Sequence, residues 1–155
     1  SSTSRGLGDV YKRQEKDYTD THLAIMTALK KGATDIYILG ATGTRMDHTI
    51  TNIGNMKVAA DCGKDCHIVD EHNYIYLLSE ADGIHIIRKD SQYGRYVSII
   101  PMSENVSLSL EGFKYTLDNY ELKQGLSICQ SNEVEDEQGI IKVHKGLIIV
   151  LETKD

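Results

Sequence analysis

From residue 19 onward the chain sets its apolar positions in a rhythm that changes along its length. Over residues 19–31, Leu23, Ala24, Ile25, Ala28 and Leu29 recur at three- and four-residue steps, the spacing that lines one face of an α-helix. A Thr/Asp capping signal opens that run and Gly32 closes it, so the spacing predicts a helix of about three turns. Residues 36–39 form a short apolar run between Asp35 and Gly40, which predicts a strand buried on both faces. A second helical stripe follows over 47–60 through Ile50, Ile53, Met56 and Ala60, ending near Gly63, and 66–69 reads as another buried strand. Helix, strand, helix, strand in that order predicts a parallel layered sheet with right-handed crossovers.

After His72 the rhythm shortens to β-branched and aromatic runs separated by turn residues. Strands are predicted at 74–78, 84–88, 96–101, 106–110, 126–130, 140–143 and 147–152, with a hairpin signal at Val143-His144-Lys145-Gly146-Leu147. Strands at this spacing suit a small sandwich or barrel. The expected fold is therefore α/β plus all-β: a partial parallel α/β lobe over 15–72 followed by a β-sandwich lobe over 73–155. Residues 1–14 carry neither period. Their Ser, Arg and Gly mixture resembles translated adaptor sequence, so they read as a non-native leader, with a native disordered leader as the alternative.

Composition narrows the partners. A chain of 155 residues suffices for one ordinary domain or two small lobes with a modest core. A net charge of −6 without any basic run argues against nucleic acid, whose binders concentrate Lys and Arg. No apolar run approaches the roughly 18 residues a bilayer span needs, so no membrane association is expected. The three cysteines stand at no disulfide-framework spacing and no signal-peptide core is present, which reads as a cytoplasmic, reducing setting. Cys62, Cys66 and His67 invite a zinc reading, but the spacing is loose and a second ligand pair is absent, so small buried thiols are the default.

Two polar runs carry the candidate chemistry. In Glu15-Lys16-Asp17-Tyr18-Thr19-Asp20-Thr21, Asp17 and Asp20 flank the start of the first helix, where both carboxylates can face one small volume. Mg²⁺ takes one or two carboxylates together with substrate phosphate oxygens; the competing reading is that acidic and Thr residues merely cap the helix. Thr19 and Thr21 can cap or reach a phosphate. The second run, Gly40-Ala41-Thr42-Gly43-Thr44-Arg45-Met46-Asp47-His48, lies between a strand and a helix, where open α/β sheets bind ligands. Gly40 and Gly43 let backbone approach a ligand, free amides at the helix start favour an anion, and Arg45 can fork onto phosphate oxygens. It is neither a P-loop nor the three-glycine dinucleotide pattern. Asp47 can hold Arg45 or a metal-bound water, and His48 can contact nucleotide or orient Asp47; a plain glycine turn with a surface Arg–Asp pair is the alternative.

These runs resemble those of the thiamine pyrophosphokinase (thiamine diphosphokinase) family. Glu15-Lys16-Asp17-x-Thr19-Asp20-Thr21 is similar to its acidic motif, and Gly40-Ala41-x-Gly43-x-Arg45-x-Asp47-His48-x-x-x-Asn52 to its second. Gly112-Phe113-x-Tyr115-x-Leu117 and Ser131-Asn132-Glu133 resemble its later landmarks. The resemblance implies an α/β catalytic lobe joined to a β-sandwich, a homodimer, and transfer of a diphosphate group from ATP to thiamine with release of AMP. It implies Asp17, Asp20, Arg45 and Asp47 as catalytic residues, with Asp17 and Asp20 also on Mg²⁺. Thr19, Gly40, Gly43, Arg45 and His48 would bind ATP, and Ser131 and Asn132 would meet thiamine, across the dimer interface. Thr44 stands where the family commonly has a second glycine. A Gly-Asp-x-Asp-Ser-type motif that the family carries upstream is not in this chain, so the expectation is an N-terminally truncated enzyme with an exposed strand edge. A Mg-dependent phosphohydrolase and a non-catalytic nucleotide- or thiamine-binding fragment are the alternatives.

Overall fold

In the computed structural model, which describes residues 18–155, the first helix, α1 (Asp20–Lys30), begins as the capping signal predicts. The Thr19 hydroxyl oxygen accepts the His22 amide at 3.2 Å and Gly32, at φ +88°, lets the chain turn away. Strand β1 (Asp35–Leu39), helix α2 (Met46–Asp61) and strand β2 (Asp65–Val69) follow, and β1 and β2 pair in parallel with Ile36 opposite Cys66 and Leu39 opposite Val69. Ile25 of α1 and Met56 and Ala59 of α2 pack on Cys66 and Ile68 of β2, with Ile36 and Ile38 beside them. The helices therefore cover one face of the sheet.

The chain then reverses into β3 (Asn73–Ser79), antiparallel to β2, and continues through a short 3₁₀ turn (Glu80–Asp82). Strands β4 (Ile84–Arg88), β5 (Tyr96–Pro101), β6 (Val106–Glu111), β7 (Leu117–Leu122), β8 (Asn132–Glu133), β9 (Gln138–Lys145) and β10 (Leu147–Thr153) complete it. One sheet runs β1-β2-β3-β10-β5-β8 and the other β4-β9-β6-β7. Their inner faces bury Tyr76, Leu78, Val97, Leu108, Ile141 and Val150 among others, the alternation expected of a sandwich. The fold is thus an α/β unit followed by a β-sandwich. The hinge between them is β3 and β10, whose alternate residues serve both cores: Ile75 and Leu151 meet the helices, Tyr76 and Val150 the second sheet. The sheet runs without a break through the boundary expected after residue 72.

Several expectations need correction. Strand β1 is not buried on both faces: among the described residues it lies at the edge of its sheet, and Tyr37 and Leu39 are 61% and 76% exposed on the face away from the helices. Ile50 also leaves its predicted stripe and is 63% exposed, because α2 packs through Ile53, Met56 and Ala59. Residues 126–130 form turns instead of a strand. Gly125 at φ +86° and Ser131 at φ +53° bend both ends of that run, and it reaches β5 through the Cys129 carbonyl accepting the Ile99 amide at 2.9 Å. Strand β7, whose Asp118, Asn119 and Glu121 hide its period, was not predicted.

Candidate active site

The polar end of the α/β unit is built where β1 gives way to α2. Gly40 takes φ +70°, which turns the chain out of the strand at little steric cost. Gly43 has no such angle, and a Cβ placed at either glycine would meet no protein atom within 4 Å, so the turn presents open backbone. Ala41 is buried, and its carbonyl accepts the Asn52 side-chain amide from α2 at 2.9 Å. The turn is thereby tied to the helix it feeds.

Helix α2 starts without a side-chain cap, so amides of its first turn remain available to an anion. Over that end lies a forked ion pair: Arg45 donates from Nε to Asp47 Oδ1 at 3.2 Å and from Nη2 to Oδ2 at 2.5 Å. Both side chains face solvent. The Arg45 guanidinium, helped by the His48 amide, holds the Asp47 carboxyl below its usual range. The Asp47 carboxylate therefore grips Arg45. His48 is exposed and contributes its backbone amide to Asp47.

Asp70, at the end of β2, is the residue that sequence reasoning missed. Its carboxylate accepts from the Thr42 hydroxyl, the amides of His72 (2.8 Å) and Asn73 (2.7 Å) and the Asn73 side chain (3.0 Å). Burial opposes its ionisation, but the bonds from Thr42, Asn73 and the two amides together outweigh that and hold its pKa low. The Asp-x-His-Asn turn spacing was the available signal; the contact with Thr42 had none.

Asp20 stands exposed in the first turn of α1 and lines an open cleft of about 390 Å³ with Thr21, Ile36 and Leu39. No hydrogen bond or ion pair joins it to Arg45 or Asp47 among the described residues. Asp17 lies outside the described residues. Besides capping α1, the Thr19 hydroxyl oxygen accepts the Asn55 side-chain amide of α2 at 3.1 Å. Among the described residues no group of three His, Cys, Asp or Glu side chains could hold a metal by itself. The donors that remain suit a hard cation held mainly by ligand phosphates, since no hydrogen bond or ion pair engages the Asp20 side chain among the described residues while Asp47 and Asp70 are engaged. Cys66 faces the helices, where burial pushes its thiol up to about 11. His67 lies on the opposite face, stacked 4.5 Å from Tyr37. The pair cannot share a metal.

Ser131 and Asn132 stand elsewhere. Asn132 is 4% exposed, and its side chain is spent on its own chain: Oδ1 accepts the amides of Tyr115 and Glu133, each at 3.0 Å, and Nδ2 donates to the Tyr115 carbonyl at 2.8 Å. The Asn132 side chain thus clamps the backbone of Tyr115. That clamp fixes Tyr115 at a cavity of about 350 Å³ lined also by Lys114, Leu117 and Ile128. Ser131 is exposed, with its amide donated to Ser98 Oγ at 2.9 Å. Since β1 and β8 are opposite edges of the six-stranded sheet, five inter-strand steps of about 4.8 Å put the glycine turn and Ser131 roughly 24 Å apart. One chain does not bring them together.

Comparison with known proteins follows the same division. The family described as "Thiamin pyrophosphokinase, catalytic domain" matches residues 4–69, and "Thiamin pyrophosphokinase, vitamin B1 binding domain" matches 84–148. The chain is 37% identical over 142 residues to the thiamine pyrophosphokinase of Bacillus subtilis, covering 91% of this chain and 65% of that protein. It is 30% identical over 156 residues to thiamine pyrophosphokinase 1 of Oryza sativa, covering 92% of this chain and 56% of that protein. The crystal structure of the Bacillus subtilis thiamine pyrophosphokinase superimposes with a TM-score of 0.83 at 36% identity, over 90% of this chain and 64% of that one. That of Geobacillus thermodenitrificans gives 0.78 at 32%, over 90% and 63%. The chain spans less than two thirds of the length of these relatives. Among the described residues, no helix is long and apolar enough to cross a membrane.

Proposed function

The chain belongs to the thiamin pyrophosphokinase family, and from that premise we propose that it transfers a diphosphate group from ATP to thiamine, giving thiamine diphosphate and AMP. The observation that carries the reading is the open glycine turn running into the uncapped α2, with Arg45 forked onto Asp47 above it. The hydroxyethyl oxygen of thiamine attacks the β-phosphorus in line and gives up its proton to solvent water, while the bond from the β-phosphorus to the α,β-bridging oxygen breaks and that oxygen leaves with AMP. Such a transfer asks the protein mainly to position two substrates and to meet phosphate charge with fixed donors. Backbone amides from the Gly40–Gly43 turn and the start of α2 face the phosphates. Arg45, already oriented by Asp47, turns its remaining donors to phosphate oxygens, and His48 lies beside it for the nucleotide.

Mg²⁺ bound to the phosphates would neutralise their charge and align the β-phosphorus. Asp20 is the described carboxylate free to hold it, with Asp17 assigned the companion role by the family resemblance. The catalytic unit is assigned to 15–72 and the thiamine-binding unit to 73–155. Ser131 and the cavity beside Tyr115 would receive thiamine from the β lobe. Their separation of roughly 24 Å from the glycine turn within one chain supports a homodimer in which each site joins the turn of one copy to the Ser131 region of the other. A cytoplasmic setting fits the three free cysteines.

The test is AMP release from Mg-ATP, measured with and without thiamine. AMP formed only with thiamine supports the transfer. Nucleotide hydrolysis indifferent to thiamine would favour a phosphohydrolase instead, and binding of both ligands without turnover would favour a non-catalytic binder.

A further inference from the structure

We propose that Asp70 is a positioning residue for the glycine turn, held in place from the β lobe by Tyr93 and Glu152; the proposal rests on the reading of that turn as the phosphate site. One carboxylate oxygen of Asp70 secures its own turn through the amides of His72 and Asn73. The other reaches back to the Thr42 hydroxyl, 28 residues earlier in the chain. Thr42 sits between Ala41, which Asn52 grips at 2.9 Å, and Gly43. The turn is thus pinned from α2 on one side and from the end of β2 on the other.

Asp70 is itself anchored. Its carbonyl accepts the Tyr93 hydroxyl, and the Tyr93 amide donates to Glu152 Oε1 at 3.1 Å. Glu152 is 5% exposed, and its second oxygen accepts the Tyr76 hydroxyl at 2.9 Å. A buried carboxylate deep in the β lobe is therefore linked through Tyr93 and Asp70 to the turn that faces the phosphates. The physical purpose is preorganisation. A turn with glycine at 40 and 43 has many backbone conformations to lose, and bonds that remove them before the ligand arrives lower the ordering cost of binding. The low pKa of Asp70 keeps it a charged acceptor throughout the neutral range.

The experiment compares Thr42→Val, which removes the hydroxyl at nearly constant volume, with Thr42→Ser, which keeps it. Binding of Mg-ATP and of thiamine is measured separately by calorimetry on the whole chain, alongside urea unfolding. Expected is a roughly tenfold weaker Kd for Mg-ATP in Thr42→Val, the scale of one hydrogen bond to a charged group. Thr42→Ser should stay within about twofold of the unmodified chain with its unfolding midpoint unmoved, thiamine affinity should hold in both, and the midpoint of Thr42→Val should fall by no more than the loss of one hydrogen bond explains. Tyr93→Phe should shift Mg-ATP binding in the same direction by a smaller factor. If the unmodified chain binds Mg-ATP and Thr42→Val binds it equally well, the positioning role is overturned while the phosphate-site reading stands. If Thr42→Val weakens both ligands in step with a lower unfolding midpoint, Thr42 serves stability alone and the proposal fails. If the unmodified chain binds no Mg-ATP, the phosphate-site reading fails and takes the positioning role with it.

Discussion

Replacing Asn132 separates a clamp from a ligand contact. The Asn132→Ala variant removes three hydrogen bonds, two accepted from the amides of Tyr115 and Glu133 and one donated to the Tyr115 carbonyl, at a site 4% exposed to solvent. At about 1 kcal/mol for each neutral bond the loss is about 3 kcal/mol, and backbone groups left dry would add to it. With a urea m-value of about 1–3 kcal/mol per molar, the unfolding midpoint should fall by about 1–3 M. Asn132→Asp should fall between, because it keeps an acceptor for the two amides but sets an oxygen against the Tyr115 carbonyl. Ser131→Ala keeps the amide bond to Ser98 and should change stability by less than about 0.5 kcal/mol while weakening thiamine. The assay is urea unfolding followed by fluorescence of the tyrosines, paired with thiamine calorimetry. An Asn132→Ala chain with an unmoved midpoint and lost thiamine binding would refute the clamp and return Asn132 to the ligand.

The exposed fork at Arg45 makes a different prediction: Arg45→Lys should leave the melting temperature unmoved, since exposed pairs add little. Mg-ATP binding measured by calorimetry should fall by roughly tenfold or more, because lysine cannot reproduce the forked geometry. Burial lowers the pKa of both His67 and His85, so the unfolded chain binds more protons than the folded one below the free imidazole value of about 6.5. Stability should therefore decline as pH falls from about 6.5 toward the lowered folded values and level off below them; urea midpoints between pH 4.5 and pH 8 (roughly the window of these groups) check this, and a midpoint that rises on acidification would contradict it. Gly112→Ala should cost more than about 3 kcal/mol, because Gly112 has φ +74° and its added Cβ would lie 2.1 Å from the Gln138 carbonyl oxygen. Gly63→Ala, at φ +67° with open space around it, should cost only about 1 kcal/mol; matched urea curves compare the two.

Local chemistry explains what could be read without the fold. The Thr19 cap, the stripe through Ile25 and Leu29, and the glycine turn leading into Arg45 and Asp47 depend on neighbours within a few residues, which the chain order displays directly. The same holds for most strands of the β half, where alternation and turn residues repeat at short range. The run at 126–130 was misread because its apolar composition matches a strand while its two ends adopt left-handed backbone. Strand β7 was missed because its outward face is polar and its inward residues are few.

The sequence by itself determined the two structural textures, the order of their elements and the placing of the phosphate-suited turn at a strand-to-helix junction, because those follow from periodicity and backbone preference. Tertiary structure alone decided that one sheet joins both lobes through β3 and β10, and that the Asn132 side chain bonds to the backbone of Tyr115. It alone brought Asp70 to Thr42 and Glu152 to Tyr93, and set the glycine turn and Ser131 at opposite edges of a sheet. Strand pairing and hydrogen bonding between distant residues depend on which surfaces meet when the core closes, and no local spacing records that choice.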